Sequence, residues 1–147
     1  MPNTITMTDI KSVLKDAPMF SSFAVKDIDA ARAFYGTRLG MNVRDGEMGV
    51  LEIHGRDGRP VFVYPKPDHE PAVFTVLNLE VPDVDEAVDA LIGAGVQMEH
   101  YNGENGITTD AKGIARGDGQ GGEGPSIAWF RDPSGNILSV MQTTTAR

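Results

Sequence analysis

Imidazole is the scarcest proton-handling group in this chain, supplied only by His54, His69 and His100. Glu52 and His54 lie two apart in Leu51-Glu52-Ile53-His54. On a β-strand both side chains then project from one face, a spacing compatible with two ligands to a metal ion. The same spacing describes a solvated strand end beside the Asp57-Gly58 turn, and that plainer reading is the one expected. His69 falls in the connector from Pro65 to Pro71, and His100 follows Glu99 on a strand where neighbours face opposite ways, so both are expected at the surface. The chain has no Cys, which removes disulfides, thiolate nucleophiles and Cys-ligated zinc together and fits a reducing compartment. It has no Gly-x-Ser-x-Gly elbow from which a Ser-His-Asp triad could be argued.

Two further stretches carry chemistry on paper. The run from Gly117 to Gly124 has the glycine density of a phosphate loop, but it lacks Gly-Lys-Ser/Thr, carries Asp118 and Glu123, and does not join a strand to a helix. A mobile flap is the expectation. Just before it, Asp110, Lys112 and Arg116 form a small charged group. Arg116 stands out because Ile114 and Ala115 read as a strand leading to it; it either meets a ligand or faces solvent. Thirteen Lys+Arg against 21 Asp+Glu leave a net charge of −8, so a basic face large enough to neutralise several phosphates is not expected, nor is nucleic acid as a partner.

Positioning these residues is the task of a chain of 147 residues, 40% hydrophobic and 23% charged, which fits one soluble folded unit. The start has no basic region followed by an apolar one, and no 18 consecutive residues are apolar, so neither a membrane partner nor export is expected and the protein reads as cytoplasmic. The chain contains a repeat. Val25, Asp27, Asp29 and Ala31 recur as Val81, Asp83, Asp85 and Ala87 at a constant offset. Each copy then shows the same order of signals: a strand, an acidic cap, a helix, a glycine stop and turn-punctuated strands.

In the first copy a strand is predicted over Met19 to Val25. A helix capped by Asp27 or Asp29 follows, with Ile28, Ala31 and Tyr35 on one face. Strands then fall near Asn42 to Arg44, Met48 to His54 and Pro60 to Tyr64. In the second copy Val84, Ala87, Val88, Leu91 and Ile92 recur at helical spacing. Strands are predicted near Val96 to Tyr101, Ser126 to Arg131 and Asn136 to Gln142, the last two around Asp132-Pro133-Ser134-Gly135. Gly40 and Gly95 stop the helices. The expected fold class is α+β: two β-α-β-β-β modules forming a cupped mixed sheet, over 19–73 and 74–142. An N-terminal arm, 1–18, has a short helix carrying Ile10, Val13 and Leu14 and capped by Thr8 or Asp9, expected to pack on the domain or on a partner subunit. A tail, 143–147, completes the chain.

The segments AVKDIDAARAFYGTRLGM and WFRDPSGNILSV, with Phe34-Tyr35, Leu39-Gly40 and the late Asp-Pro-x-Gly-Asn turn, resemble the vicinal oxygen chelate superfamily. That superfamily includes glyoxalase I, extradiol dioxygenases, and fosfomycin- and bleomycin-resistance proteins. The resemblance spans Met19 to Gln142. It implies a divalent metal held in the cup by His, Gln or Glu on four strands. Three of those positions correspond here to Phe20, Val76 and Ser139, and the fourth lies in Val61-Phe62-Val63-Tyr64, which offers neither carboxylate nor imidazole. Phe and Val have no donor atom for a divalent cation, so neither metal nor other cofactor is expected.

With the cup oriented by the resemblance, alternation turns Phe20, Ser22 and Ala24 inward on the first strand, Val76 and Asn78 on the fifth, and Ile137, Ser139 and Met141 on the last. Trp129 is assigned inward and Phe130 to the helix-backed core. The expected ligand site is therefore Phe20, Ser22, Val76, Asn78, Trp129 and Ser139, with Tyr101 and Arg116 at its mouth. The resemblance implies a metal-free, bleomycin-resistance-like protein that binds a small organic molecule as a homodimer. The alternative is a lyase or dioxygenase-type enzyme with a relocated site such as Glu52 and His54.

Overall fold

The computed structural model describes residues 10–103, 106–117 and 125–142. A short helix, α1 (Ile10–Leu14), precedes two four-stranded sheets of one design. The first is built from β1 (Ser22–Val25), β2 (Asn42–Asp45), β3 (Leu51–His54) and β4 (Val61–Pro65), ordered β1-β4-β3-β2. β1 runs parallel to β4, and the other pairings are antiparallel. The second is built from β5 (Thr75–Glu80), β6 (Ile114–Ala115), β7 (Ser126–Arg131) and β8 (Ile137–Gln142), ordered β5-β8-β7-β6, again with one parallel pair, β5 with β8. This is the α+β, two-module arrangement expected from the repeat.

The acidic caps start both helices. Asp27 accepts hydrogen bonds from the backbone N–H groups of Asp29 and Ala30 and opens α2 (Ile28–Arg32), which widens into π-helical turns over Ala33–Arg38. Asp83 accepts from Glu86 N–H and opens α3 (Val84–Gly93). Gly40 and Gly95 follow the helices with φ of 71° and 87°, the left-handed geometry that a side chain would strain. Ala31, Phe34 and Tyr35 from the first helix and Val84 and Val88 from the second are buried against Phe23, Val25, Leu51, Ile53, Val63, Ala128, Phe130, Leu138 and Val140 in one continuous core. One face of each sheet is thereby covered by helices, and the other, the inner face, is left open.

The turn between β7 and β8 joins the modules. Tyr35 Oη–H donates to Asp132 Oδ2 at 2.7 Å, and Asn136 Nδ2–H donates to the Ala24 carbonyl at 2.8 Å. Lys26 N–H donates to Ser134 Oγ at 2.9 Å. The Asp-Pro-x-Gly-Asn motif is thus a clamp onto β1 as well as a reversal.

Two expectations are corrected. The first strand begins at Ser22, leaving Phe20 before it. Val96 to Tyr101 forms no strand. Met98 makes a single bridge to Phe130, and the edge of β7 is taken by Ile114 and Ala115 instead. Gly113 permits this crowding, because a Cβ there would lie 2.9 Å from the Glu99 carbonyl oxygen. The arm's Ile10, Val13 and Leu14 are exposed. Its proposed caps, Thr8 and Asp9, and the glycine run 118–124 lie outside the described residues.

Candidate functional site on the inner faces

Strand alternation decides what each inner face presents. On the first sheet Phe23, Val25, Leu51, Ile53 and Val63 turn to the helices, so Ser22, Phe62, Glu52 and Arg44, paired across β1, β4, β3 and β2, form one row on the open side. His54 and Asn42 pair in the next row. Phe20 folds back over this face, its ring 4.9 Å from that of Phe62, and the Arg59 guanidinium stands 5.4 Å above Phe20. The result is an aromatic platform with a cation at its rim.

On the second sheet the row is Asn78, Ser139 and Trp129. The Trp129 indole N–H donates to Thr75 Oγ1 at 3.2 Å, and Tyr101 meets the indole edge-on at 5.5 Å. Burial, followed by the neighbouring Glu99 carboxylate, pushes the Tyr101 hydroxyl above its ordinary range and keeps it a neutral donor. Where β1 and β4 approach the start of β5 there is a cavity of about 410 Å³, bordered by Ser22, Ala24, Tyr64, His69, Thr75 and Val76. His69 Nε2 is the one buried side-chain nitrogen or oxygen without a hydrogen-bond partner among the described residues. Such an atom is costly to bury unless something bonds it.

The expected site residues divide. Ser22, Asn78 and Trp129 lie on the inner faces as alternation expects, whereas Phe20 reaches the first face from before its strand by packing on Phe62, and Tyr101 reaches the second by packing on Trp129. Val76 is displaced, because β5 bulges between Thr75 and Leu77 and the extra residue brings Thr75 rather than Val76 into line with Asn78 and Trp129. Val76 still borders the cavity. Ser139 is fully buried, and its hydroxyl donates to Asn78 Oδ1, so Asn78, not Ser139, presents the polar group to solvent.

Arg116 is turned away from the cup. It follows buried Ile114 and projects toward α3, where its guanidinium makes a bidentate pair with Asp85, both bonds 2.8 Å, and a third bond to Asp110 at 3.0 Å. Arg116, and after it Lys112, hold the Asp85 carboxyl far below the usual carboxylate range. The charged group read from Asp110, Lys112 and Arg116 therefore straps its segment to a helix.

Phe62, Tyr64, Thr75 and His69 were not singled out as ligand-binding. Alternation reveals Phe62 and Tyr64 once the cup side is known. The bulge that turns Thr75 inward leaves no mark in the sequence, and the proline-rich connector disguises His69 as surface.

The inner faces do not fit a divalent metal. At the four positions where the resemblance places metal donors stand Phe20, a residue of the run 61–64, which holds neither carboxylate nor imidazole, Val76 beside Thr75 Oγ1, and Ser139. Both hydroxyls are engaged, by Trp129 and Asn78. Among the described residues no three His, Asp or Glu side chains gather as a metal cage.

A family profile of the Glyoxalase/Bleomycin resistance protein/Dioxygenase superfamily matches residues 19–140, and the chain belongs to that superfamily. Among solved structures it is similar to a glyoxalase/dioxygenase from Nostoc punctiforme, at 18% identity over 96% of this chain and 99% of that one, with a TM-score of 0.59. It is similar to TnmS3, an antibiotic binding protein from Streptomyces sp. CB03234, at 20% identity, 88% and 98% coverage and a TM-score of 0.59. It is also similar to a lactoylglutathione lyase from Agrobacterium tumefaciens, at 21% identity, 86% and 93% coverage and a TM-score of 0.55. At these identities the likeness shows the fold alone. No curated protein sequence matches the chain. No helix among the described residues is long and apolar enough to cross a membrane.

Proposed function

We propose that the protein binds a small, partly aromatic organic molecule on its inner faces without a metal, in the manner of the bleomycin-resistance branch of its superfamily. The observation that carries this reading is the replacement of the four metal-donor positions by an apolar and aromatic lining that keeps a few directed polar groups. Phe20, Phe62 and Trp129 offer large contact at low entropic cost, and Ser22, Asn78 and Tyr101 offer the bonds that orient a ligand. The fold's likeness to a protein described as antibiotic binding is consistent with it.

We also infer a homodimer. Ile10, Val13, Leu14 and Phe74 are large apolar residues exposed on this chain alone, and a second copy that covers them removes that area from water.

Trp129 is the sole tryptophan, so its emission reports the inner face directly. Titrating a panel of antibiotics and aromatic metabolites, with thermal shift in parallel, is expected to quench or shift that emission and raise the melting temperature. The variant Phe20→Glu, which puts a charge on the platform, is expected to weaken binding at least tenfold while the fold survives. Binding unaffected by that charge places the ligand elsewhere and overturns the reading.

A further inference from the structure

The pair that the small-molecule reading leaves unused is Glu52 and His54. His54 Nε2 lies 2.9 Å from Glu52 Oε1, with side-chain exposures of 25% and 31%, so the contact is half withdrawn from water. A carboxylate only accepts hydrogen bonds, so Nε2 is the nitrogen that donates to Glu52, and in the neutral ring the lone pair is on Nδ1. Among the described residues Nδ1 makes no hydrogen bond, and it is not one of the buried unpartnered atoms. An oriented imidazole with one free basic nitrogen thus stands on the inner face.

Its surroundings suit one kind of ligand. Phe62 is directly across β4 from Glu52, and Phe20 packs on Phe62, so aromatic surface lies beside the pair. Arg44 stands across β2 from Glu52 and Arg59 over Phe20, so negative charge developing on that ring meets two cations. Asn42, across from His54, is neutral. The carboxylate is also close to the backbone of the preceding turn: a Cβ on Gly46 would lie 3.1 Å from Glu52 Oε2 and 3.1 Å from the Val50 carbonyl oxygen, although Gly46 has an ordinary negative φ of −97° that any residue can adopt.

We propose that Glu52 and His54 form a proton-accepting subsite for an aromatic ligand bearing an acidic hydroxyl, a phenol seated over Phe62 and Phe20. The phenolic O–H bond breaks, its electron pair stays on oxygen as phenolate, and the proton moves to His54 Nδ1. The imidazolium so formed is balanced by Glu52 and the phenolate by Arg44 and Arg59. Nothing else is consumed. His54 is the proton acceptor and Glu52 the residue that positions it. The inference rests on the inner face being a ligand site and adds the chemical class of the ligand.

The probe is p-nitrophenol, whose phenolate absorbs in the visible, with p-nitroanisole as the ring that has no proton to give. Binding is expected to lower the apparent pKa of bound p-nitrophenol by about one unit or more, a tenfold or greater shift toward phenolate. His54→Gln is expected to abolish that shift while changing affinity for p-nitroanisole less than threefold. Gly46→Ala and Glu52→Gln, which crowd or neutralise the carboxylate, are expected to shrink it at least threefold. Should His54→Gln fail to fold by circular dichroism, these two variants carry the comparison. An unshifted bound probe, a shift that survives His54→Gln, or binding of p-nitroanisole but not p-nitrophenol overturns the proton-accepting subsite and leaves the small-molecule reading standing. If both probes and every molecule of the wider panel fail to bind, both readings fall.

Discussion

Replacing Tyr35 by Phe tests whether the turn after β7 holds the two modules together. The Tyr35 hydroxyl is buried, which is the first reason it stays protonated far above its ordinary range, and it donates to Asp132 at 2.7 Å. Asp132 is only 5% exposed and also accepts from Ser134 N–H, Asn136 N–H and Asn136 Nδ2–H. Tyr35→Phe deletes one of four donors to a buried carboxylate and creates no cavity, so the expected cost is that of one charge-assisted bond, about 2 kcal/mol. Asp132→Ala strands the Tyr35 hydroxyl and two backbone N–H groups, with an expected cost of about 3–5 kcal/mol against a total stability of roughly 5–15. Urea and thermal unfolding monitored by Trp129 emission read both values, and the Phe variant is expected to melt about 4–8 °C lower. The two substitutions share an interaction, so a double-mutant cycle is expected to give a coupling of about 1 kcal/mol or more. A cost below about 0.5 kcal/mol for Tyr35→Phe, or strict additivity in the cycle, refutes the clamp.

Asp85 is held below the ordinary carboxylate range, so the stability it contributes is fully present above about pH 4, its unfolded value, and is lost as pH falls through the lower folded value. Asp85→Asn is therefore expected to flatten the acid limb of a stability-against-pH curve, and because the pair is half exposed the loss at neutral pH is about 1 kcal/mol or less. Treatment with EDTA is expected to leave the melting temperature unchanged, and elemental analysis to find no stoichiometric transition metal, since the donor positions are filled by Phe, Val and engaged hydroxyls. Thr75→Val is expected to free the Trp129 indole N–H and shift its emission, while leaving the fold intact. Sedimentation at micromolar protein is expected to give twice the chain mass of 15.8 kDa; the single-chain value contradicts the dimer.

The amino-acid sequence by itself determined the module. Local signals suffice for a capped helix: Asp27 and Asp83 reach N–H groups two or three residues away, and Gly40 and Gly95 supply backbone angles that depend on no distant partner. Period-two alternation likewise separated Phe23 and Val25 from Ser22 and Ala24, because a strand's two faces are fixed by its own pleat. That Phe20, Val76 and Ser139 carry neither carboxylate nor imidazole was legible for the same reason, since side-chain chemistry does not change on folding. What only the tertiary structure decided depends on contacts between residues far apart in the chain. A bulge in β5 exchanged Thr75 for Val76, because its register is set against β8. Asn78 took up the Ser139 hydroxyl, and α3 took Arg116 out of the cup through Asp85, so two residues of suitable chemistry were bonded elsewhere. Val96 to Tyr101 lost the edge of β7 to Ile114 and Ala115, a competition between two segments of similar strand character. Strand propensity is a property of each segment alone; which of two segments pairs, and which polar group is left free, is fixed only when every other partner has been assigned.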